Sequence, residues 1–287
     1  MKLPFLSSSP QKTGMTDELL LAIDIGTEVL KVLLFKCSAS GVQIVKSARI
    51  FQQQHAMRSG VIRSLNTVVE NCRLAFNEVT ETVEPELLPR KVVMGIAGEL
   101  IHGVSVVVNY DREDKGAQEV DAKEQKNIYS HGRESVYANG RNKLAEKYGM
   151  DPEDIEVLHV TVSGVEIGGM SVDSLIGFTG KQVRLHFYAS FAPRTYLDAL
   201  RNIAGNLGLE LMGIVSQPYA MARVVEGASE RTFNGVFVDI GGGTTDVALV
   251  QKGNVSDTQI FSFGGRVFTK RIAVSYTHLT LPTIHSV

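Results

Sequence analysis

The chain has 287 residues, 44% hydrophobic and 21% charged, which is enough for two soluble domains with cores of their own. A formal net charge of −2 gives no electrostatic footprint for nucleic acid. Two cysteines, Cys37 and Cys72, make neither a disulfide framework nor a metal spacing, so a reducing cytoplasm fits, and no apolar run approaches the ~20 residues of a membrane span.

Met1 to Asp17 is Ser-rich without the apolar core or cleavage pattern of a signal peptide, and reads as a disordered tail, with Met15 an alternative start. Leu19 to Ile25 is an apolar run holding one carboxylate, Asp24. Gly26, Thr27 and Lys31 follow, then the apolar run Val32 to Phe35, giving strand, Gly turn, strand. Ser38 to Gly41 is a turn, and Val42 to Val45 a third strand. After the turn Arg58–Ile62, Asn66 is placed to cap a helix over Asn66–Thr82, with Val68, Val69, Cys72, Leu74, Ala75, Phe76 and Val79 at helical spacing. Pro85 and Pro89 break the chain; Val92–Ala97 and Val104–Val108 are strands.

Gln118 to Tyr148 is highly charged and reads as one or two surface helices, interrupted near Gly132 or Gly140. Val157–Val162 and Gln182–Phe187 are strands; Pro193–Leu207 is a helix with Tyr196, Leu197, Leu200, Ile203 and Leu207 on one face. Leu211–Val215 is a short strand, and Pro218 starts another helix.

Asp239 to Asp246 reads Asp-Ile-Gly-Gly-Gly-Thr-Thr-Asp between Val236–Val238 and Val247–Val250, again strand, tight turn, strand. Gly241, Gly242 and Gly243 leave backbone N–H groups bare, so that a phosphate could approach closely. An aspartate at each end would repel phosphate unless Mg²⁺ sat between them. Two Asp-x-Gly hairpins about 200 residues apart make a far stronger signal than either alone.

These residues resemble the two phosphate motifs of the actin-like ATPase superfamily. The resemblance implies an α/β, ribonuclease H-like fold in which two similar domains grip one nucleotide, with ATP and Mg²⁺ as the expected cofactors. Position by position it implies that Asp24 binds the Mg²⁺ shell through water and that Thr27 and Lys31, beside Gly26, contact β- and γ-phosphate oxygens. Gly241, Gly242, Gly243 and Thr244 would cradle phosphates by backbone N–H. Asp239 would face the metal from the opposite domain, Asp246 would buttress the hairpin, and the Thr245 hydroxyl would contact phosphate or only support the turn. Gln217 stands where this superfamily positions the attacking water; a neutral amide can orient water but cannot take its proton, so hydrolysis is expected to be slow. The alternative for Gln217 is a helix cap.

Roughly ninety residues, Lys91 to Lys181, separate the first helix from the later half of this domain, too long for a loop and long enough for an inserted subdomain. An insert at this place resembles FtsA, the bacterial cell-division family, and its pilus relative PilM. Arg58–Ile62, Leu175–Gly180 and Phe263–Gly265 with Thr269–Ala273 also look like FtsA. The expected division is therefore a first actin-like domain over 18–90 and 182–230, a small α/β (SHS2-like) insert over 91–181, and the start of a second, truncated domain over 231–273. The resemblance implies self-association into filaments at the inner face of the cell membrane, and partnership with FtsZ and other division proteins. The adenine-binding segment, the FtsZ-binding subdomain and the membrane-binding C-terminal helix of FtsA would all lie beyond Ala273. A PilM-like adaptor is the alternative. A metabolic kinase would need a sugar-contacting acid on a loop between the domains, for which this sequence offers no candidate, and the insert argues against a chaperone. His102, His131, His159 and His186 show no ligand spacing.

The last fourteen residues, 274–287, are set apart as adapter-like, because Val274 to Thr283 reads as one frame of a transposase-type sequencing-library adapter, the alternative being a genuine Thr-rich strand and tail. The expectation is that the natural sequence departs from this one near Ala273, and that His278 and His285 carry no functional information.

Overall fold

The computed structural model of the chain describes residues 18–38, 41–228 and 233–277. The tail expected over 1–17 and the last ten residues of the adapter-like segment lie outside the described residues.

β1 (Leu19–Ile25), β2 (Val29–Ser38) and β3 (Gly41–Phe51) form an antiparallel meander. Its first strand alternates strictly, burying Leu19, Leu21, Ile23 and Ile25, the period-2 pattern of a sheet with one face on a core. A two-residue ladder, β4 (Met57–Arg58) with β5 (Val61–Ile62), leads to α1 (Leu65–Thr80). Ser64, extended at φ −130° and ψ 98°, takes the N-cap position expected for Asn66. β6 (Lys91–Ile96) pairs parallel with β1.

β7 (His102–Asp111), α2 (Ala122–Tyr148), β8 (Ile155–Ile167), β9 (Met170–Val172) and β10 (Gln182–Pro193) come next. They form a separate antiparallel sheet, ordered β7-β10-β8-β9, with α2 packed against it and a core of its own. The chain then returns through α3 (Arg194–Asn206), β11 (Glu210–Ser216) and α4 (Gln217–Ala228). β11 pairs parallel with β6, completing a five-stranded sheet of order β11-β6-β1-β2-β3. α1 and α3 share its core, through Val68, Cys72 and Val79 on one helix and Tyr196, Leu200 and Ile203 on the other.

Sheet membership therefore differs at both ends from the insert boundaries expected at Lys91 and Lys181. β6 belongs to the first sheet, and β10 is an inner strand of the insert. The short run Gln182–Phe187 is the start of a strand that continues to Pro193 and pairs on both sides, with β7 and β8. α2 also differs from expectation, being one uninterrupted helix. Asp121 caps it by accepting from the Glu124 N–H at 2.7 Å, and Gly149 ends it in the left-handed conformation. Gly132 and Gly140 do not break it; they are notches. A Cβ on Gly132 would lie 2.6 Å from Phe187 Cε2, and one on Gly140 would lie 2.3 Å from Phe191 Cζ. With Ile128, Val136 and Leu144 they form one buried stripe at four-residue spacing, and the charged residues cover the rest of the helix.

A third sheet follows: β12 (Gly235–Ile240), β13 (Thr245–Gln251) and β14 (Asn254–Phe261), an antiparallel meander, then α5 (Gly265–Thr277). α5 continues past Ala273 into the adapter-like segment, where Val274 is 57% exposed. β14 lies on the insert: Ser105 Oγ donates to the Ser256 carbonyl at 2.6 Å, and the Tyr188 and Thr258 hydroxyls are 2.9 Å apart. Among the described residues no helix is long and apolar enough to cross a membrane.

Candidate functional site

Two hairpin turns, β1–β2 and β12–β13, meet over one cavity of about 200 Å³. Its lining includes Asp24, Gly26, Thr27, Lys31, Gln217, Asp239, Gly241, Gly242, Thr244 and Asp246. Ten of the twelve residues singled out in the sequence are thus brought together from opposite ends of the chain. Gly243 and Thr245 support the turn from behind: Gly243 packs on Thr27, and the Thr245 hydroxyl donates to the Phe263 carbonyl at 2.8 Å.

The first hairpin is set by strand register. Asp24 lies opposite Lys31, and Lys31 opposite Arg49, so three adjacent strands place a carboxylate and two cations on one rung. Lys31 Nζ is 3.0 Å from Asp24 Oδ2. The other oxygen, Oδ1, accepts from Gln217 Nε2 at 2.9 Å. A carboxylate only accepts, so the Gln217 amide must turn its NH₂ to Asp24, leaving its carbonyl oxygen as an acceptor. Gln217 is the first residue of α4, yet its side chain bonds Asp24 instead of a backbone N–H of its own helix. Thr27 is buried, and its Oγ1 accepts from the Gly60 N–H at 3.0 Å. A hydroxyl that accepts there still has a proton to donate. Behind the turn Gln52 Nε2 bonds the Gly26 carbonyl at 3.3 Å, and Asn71 of α1 holds Gln52 at 2.6 Å.

The second hairpin pairs Asp239 with Asp246 and Ile240 with Thr245. The Gly241 N–H donates to the Thr244 carbonyl at 2.9 Å. It closes the turn, and the cradle expected from four consecutive N–H groups loses this member. The Gly265 and Arg266 N–H groups at the start of α5 bond the Gly241 and Gly242 carbonyls at 2.9 and 3.0 Å, so the helix clamps the turn. The glycines are required by space. A Cβ on Gly242 would lie 2.0 Å from Glu28 Cγ, one on Gly243 2.9 Å from Thr27, and one on Gly264 2.3 Å from the Gly241 carbonyl oxygen.

Asp246 is buried, and the Thr244 hydroxyl donates to its Oδ2 at 3.2 Å. Its Oδ1 has no hydrogen-bond partner. Burial pushes its carboxyl above the ordinary range, with Thr244 and the nearby Gly98 N–H pulling back and Asp239 adding to the rise. A buried carboxylate so thinly satisfied beside a cavity is the kind of group a bound cation or donor would satisfy. Among the described residues no cluster of three or more His, Cys, Asp or Glu could hold a metal alone. Asp24 and Asp239 would therefore share a cation with phosphate oxygens, as Mg²⁺ commonly is shared. The donor set fits a metal–phosphate group. The cavity is smaller than the roughly 300–1,000 Å³ typical of whole small-molecule pockets, and the residues that line it suit the charged end of a nucleotide.

Sequence reasoning missed two charged lining residues, Arg49 and Glu28. Carrying the hairpin register one strand further would have found Arg49. Glu28 bonds Arg266 Nε across the two hairpins, and no local signal marks a pair so far apart in the chain.

No protein-family profile matches the chain. The cell division protein FtsA of Bacillus subtilis (strain 168) is 23% identical over 272 residues, covering 90% of this chain and 54% of that protein. FtsA of Streptococcus pneumoniae serotype 2 is 21% identical over 251 residues, covering 88% of this chain and 51% of that one. In a solved PilM–PilN type IV pilus biogenesis complex, one chain superposes with a TM-score of 0.65 at 15% identity, covering 92% of this chain and 66% of that one. The chain has the actin-like ATPase fold and is similar to FtsA over most of its length. It spans about half the length of the curated FtsA relatives it matches. In the sheet order β11-β6-β1-β2-β3 a second sheet is inserted between β6 and α3.

Proposed function

We propose that this chain carries the phosphate-gripping walls of a nucleotide cleft in an FtsA-like cell-division protein, one that binds Mg·ATP, polymerises at the inner face of the membrane and links FtsZ to the division machinery. The observation that carries the reading is the convergence of both Asp-Gly hairpins on one cavity, together with similarity to FtsA along 90% of the chain. In this reading Asp24 and Asp239 hold the water shell of Mg²⁺, which neutralises phosphate charge. Lys31, Arg49 and the Thr27 hydroxyl meet phosphate oxygens, and the N–H groups of Gly242 and Thr244 cradle them. Gln217, fixed through Asp24, offers its carbonyl oxygen to the attacking water. A neutral amide orients water but cannot take its proton, so turnover is slow.

Titration of labelled Mg·ATP against the full-length protein tests the site. Asp24→Ala and Asp239→Ala should each weaken binding by about 1–3 kcal/mol, the usual cost of losing one charge-assisted contact. Equal affinity in wild type and both variants would rule this site out.

The insert is read as a protein-binding unit that takes part in filament contacts. Since β6 belongs to the first sheet, the excision that tests this runs from His102 to Pro193, closed by a short Gly/Ser bridge. ATP binding should survive, and filament formation on lipid monolayers should be lost. Filaments that persist would place the contacts elsewhere.

The likeness to the PilM–PilN complex supports a second reading, a cytoplasmic adaptor of pilus assembly. Co-purification with an FtsZ filament favours the first reading, and capture of a PilN-type peptide favours the second.

A further inference from the structure

His159 is buried at 6% exposure in β8, where the insert meets the first domain. Its imidazole lies against two buried hydroxyls: Ser190 Oγ of β10, 3.0 Å from Nδ1 and 3.2 Å from Nε2, and Ser216 Oγ of β11, 3.5 Å from Nε2. Its ring also packs on Tyr219 in the first turn of α4, with centroids 4.1 Å apart. A neutral imidazole has one donor and one acceptor to share between the two hydroxyls, and the Tyr219 ring contact adds a second tie to the same segment. Ser216 is the last residue of β11 and Gln217 the first of α4, with no spacer between. Whatever fixes Ser216 and Tyr219 therefore fixes the backbone from which Gln217 reaches Asp24 at 2.9 Å.

We propose that His159 is a positioning residue for Gln217: a latch through which the inserted unit sets the geometry of the nucleotide site. The proposal rests on reading the cavity as a site for Mg·ATP. It gives the insert a second role besides protein contact, because any partner that shifts β8 against β11 would move Gln217 and leave the phosphate hairpins in place. A histidine that merely filled space could be lost without favouring one kinetic constant over another. A latch loses turnover and keeps affinity.

The test measures hydrogen exchange over Ser216–Ala222, Mg·ATP affinity and single-turnover hydrolysis in wild type, Ser216→Ala and His159→Leu. Loss of one buried hydrogen bond should speed exchange at the start of α4 by about fivefold to tenfold in each variant. Affinity should stay within about twofold, while hydrolysis falls by about fivefold to tenfold, with little further loss on adding Gln217→Ala, since the residues act as one unit. Unchanged exchange overturns the latch, as does a loss that multiplies with that of Gln217→Ala, or a parallel fall of affinity and turnover. If the full-length wild type binds no Mg·ATP, the nucleotide reading falls, and exchange alone decides whether His159 holds the start of α4.

Discussion

Gly60→Ala should be among the most damaging single substitutions in this chain, lowering stability by about 3 kcal/mol or more and disordering the first phosphate hairpin. Gly60 adopts φ +78°, where a side chain is strained whatever the space. Space is also missing: a Cβ there would lie 2.6 Å from the Gly98 Cα and 2.7 Å from the Ala97 carbonyl oxygen. Both are backbone atoms, so no rotamer change relieves the clash. Gly98, at φ +109°, presses back on Gly60 in the same way. The contact is tight because Gly60 ties three elements together. Its N–H holds the Thr27 hydroxyl at 3.0 Å, and its carbonyl accepts from the buried Tyr196 hydroxyl of α3 at 2.7 Å. Urea unfolding should show a lower midpoint for Gly60→Ala, while Gly205→Ala is the control. Gly205 lies within helix α3 and has no atom within 4 Å of an added Cβ, so that variant should be unchanged or more stable by up to about 1 kcal/mol. Equal midpoints for wild type and Gly60→Ala would show that the loop relaxes and that the close approach carries no energy.

What was legible in the sequence was local. The hairpins at Asp24–Lys31 and Asp239–Asp246 are turns whose glycines, carboxylates and flanking apolar runs lie within a few residues of one another. The first helix and the helix at Tyr196–Ile203 show themselves by spacing, because each buries one stripe against one sheet. The insert was visible only as surplus length. Its edges were not, since a strand such as Gln182–Pro193 declares its sheet only through partners it meets in space. Gly132 and Gly140 misled for a related reason. A glycine in a charged helix reads as a break unless the ring packed against it, Phe187 or Phe191, is known. Arg49, the Glu28–Arg266 pair and the His159–Ser216 contact depend on register or on docking between sheets. They are products of the fold, and no residue pattern near any of them announces the partner.

Acid should destabilise the chain through the same histidine that latches the insert. Burial lowers the His159 pKa to about 3, against about 6.5 in an unfolded chain. The folded protein thus keeps His159 neutral while the unfolded chain takes up a proton below about pH 6.5. The stability this depressed value represents is fully present above the unfolded pKa, and it is lost as pH falls toward the folded one. At 1.36 kcal/mol per unit, about 2 kcal/mol is lost by pH 5 and about 3 kcal/mol by pH 4. His102, lowered to about 4 by burial and by the nearby Lys147, acts in the same direction. Carboxylates titrate in this window too, so the measurement is a difference between urea midpoints of wild type and His159→Gln at pH 7, 5 and 4. The amide keeps a donor and an acceptor for Ser190 and Ser216 but does not titrate. His159→Gln should lose stability more slowly on acidification, and the gap between the two proteins should move in its favour by about 2–3 kcal/mol from pH 7 to pH 4. A gap that stays constant across that range would mean that His159 takes up its proton in the folded chain, with water reaching the junction of β8, β11 and α4.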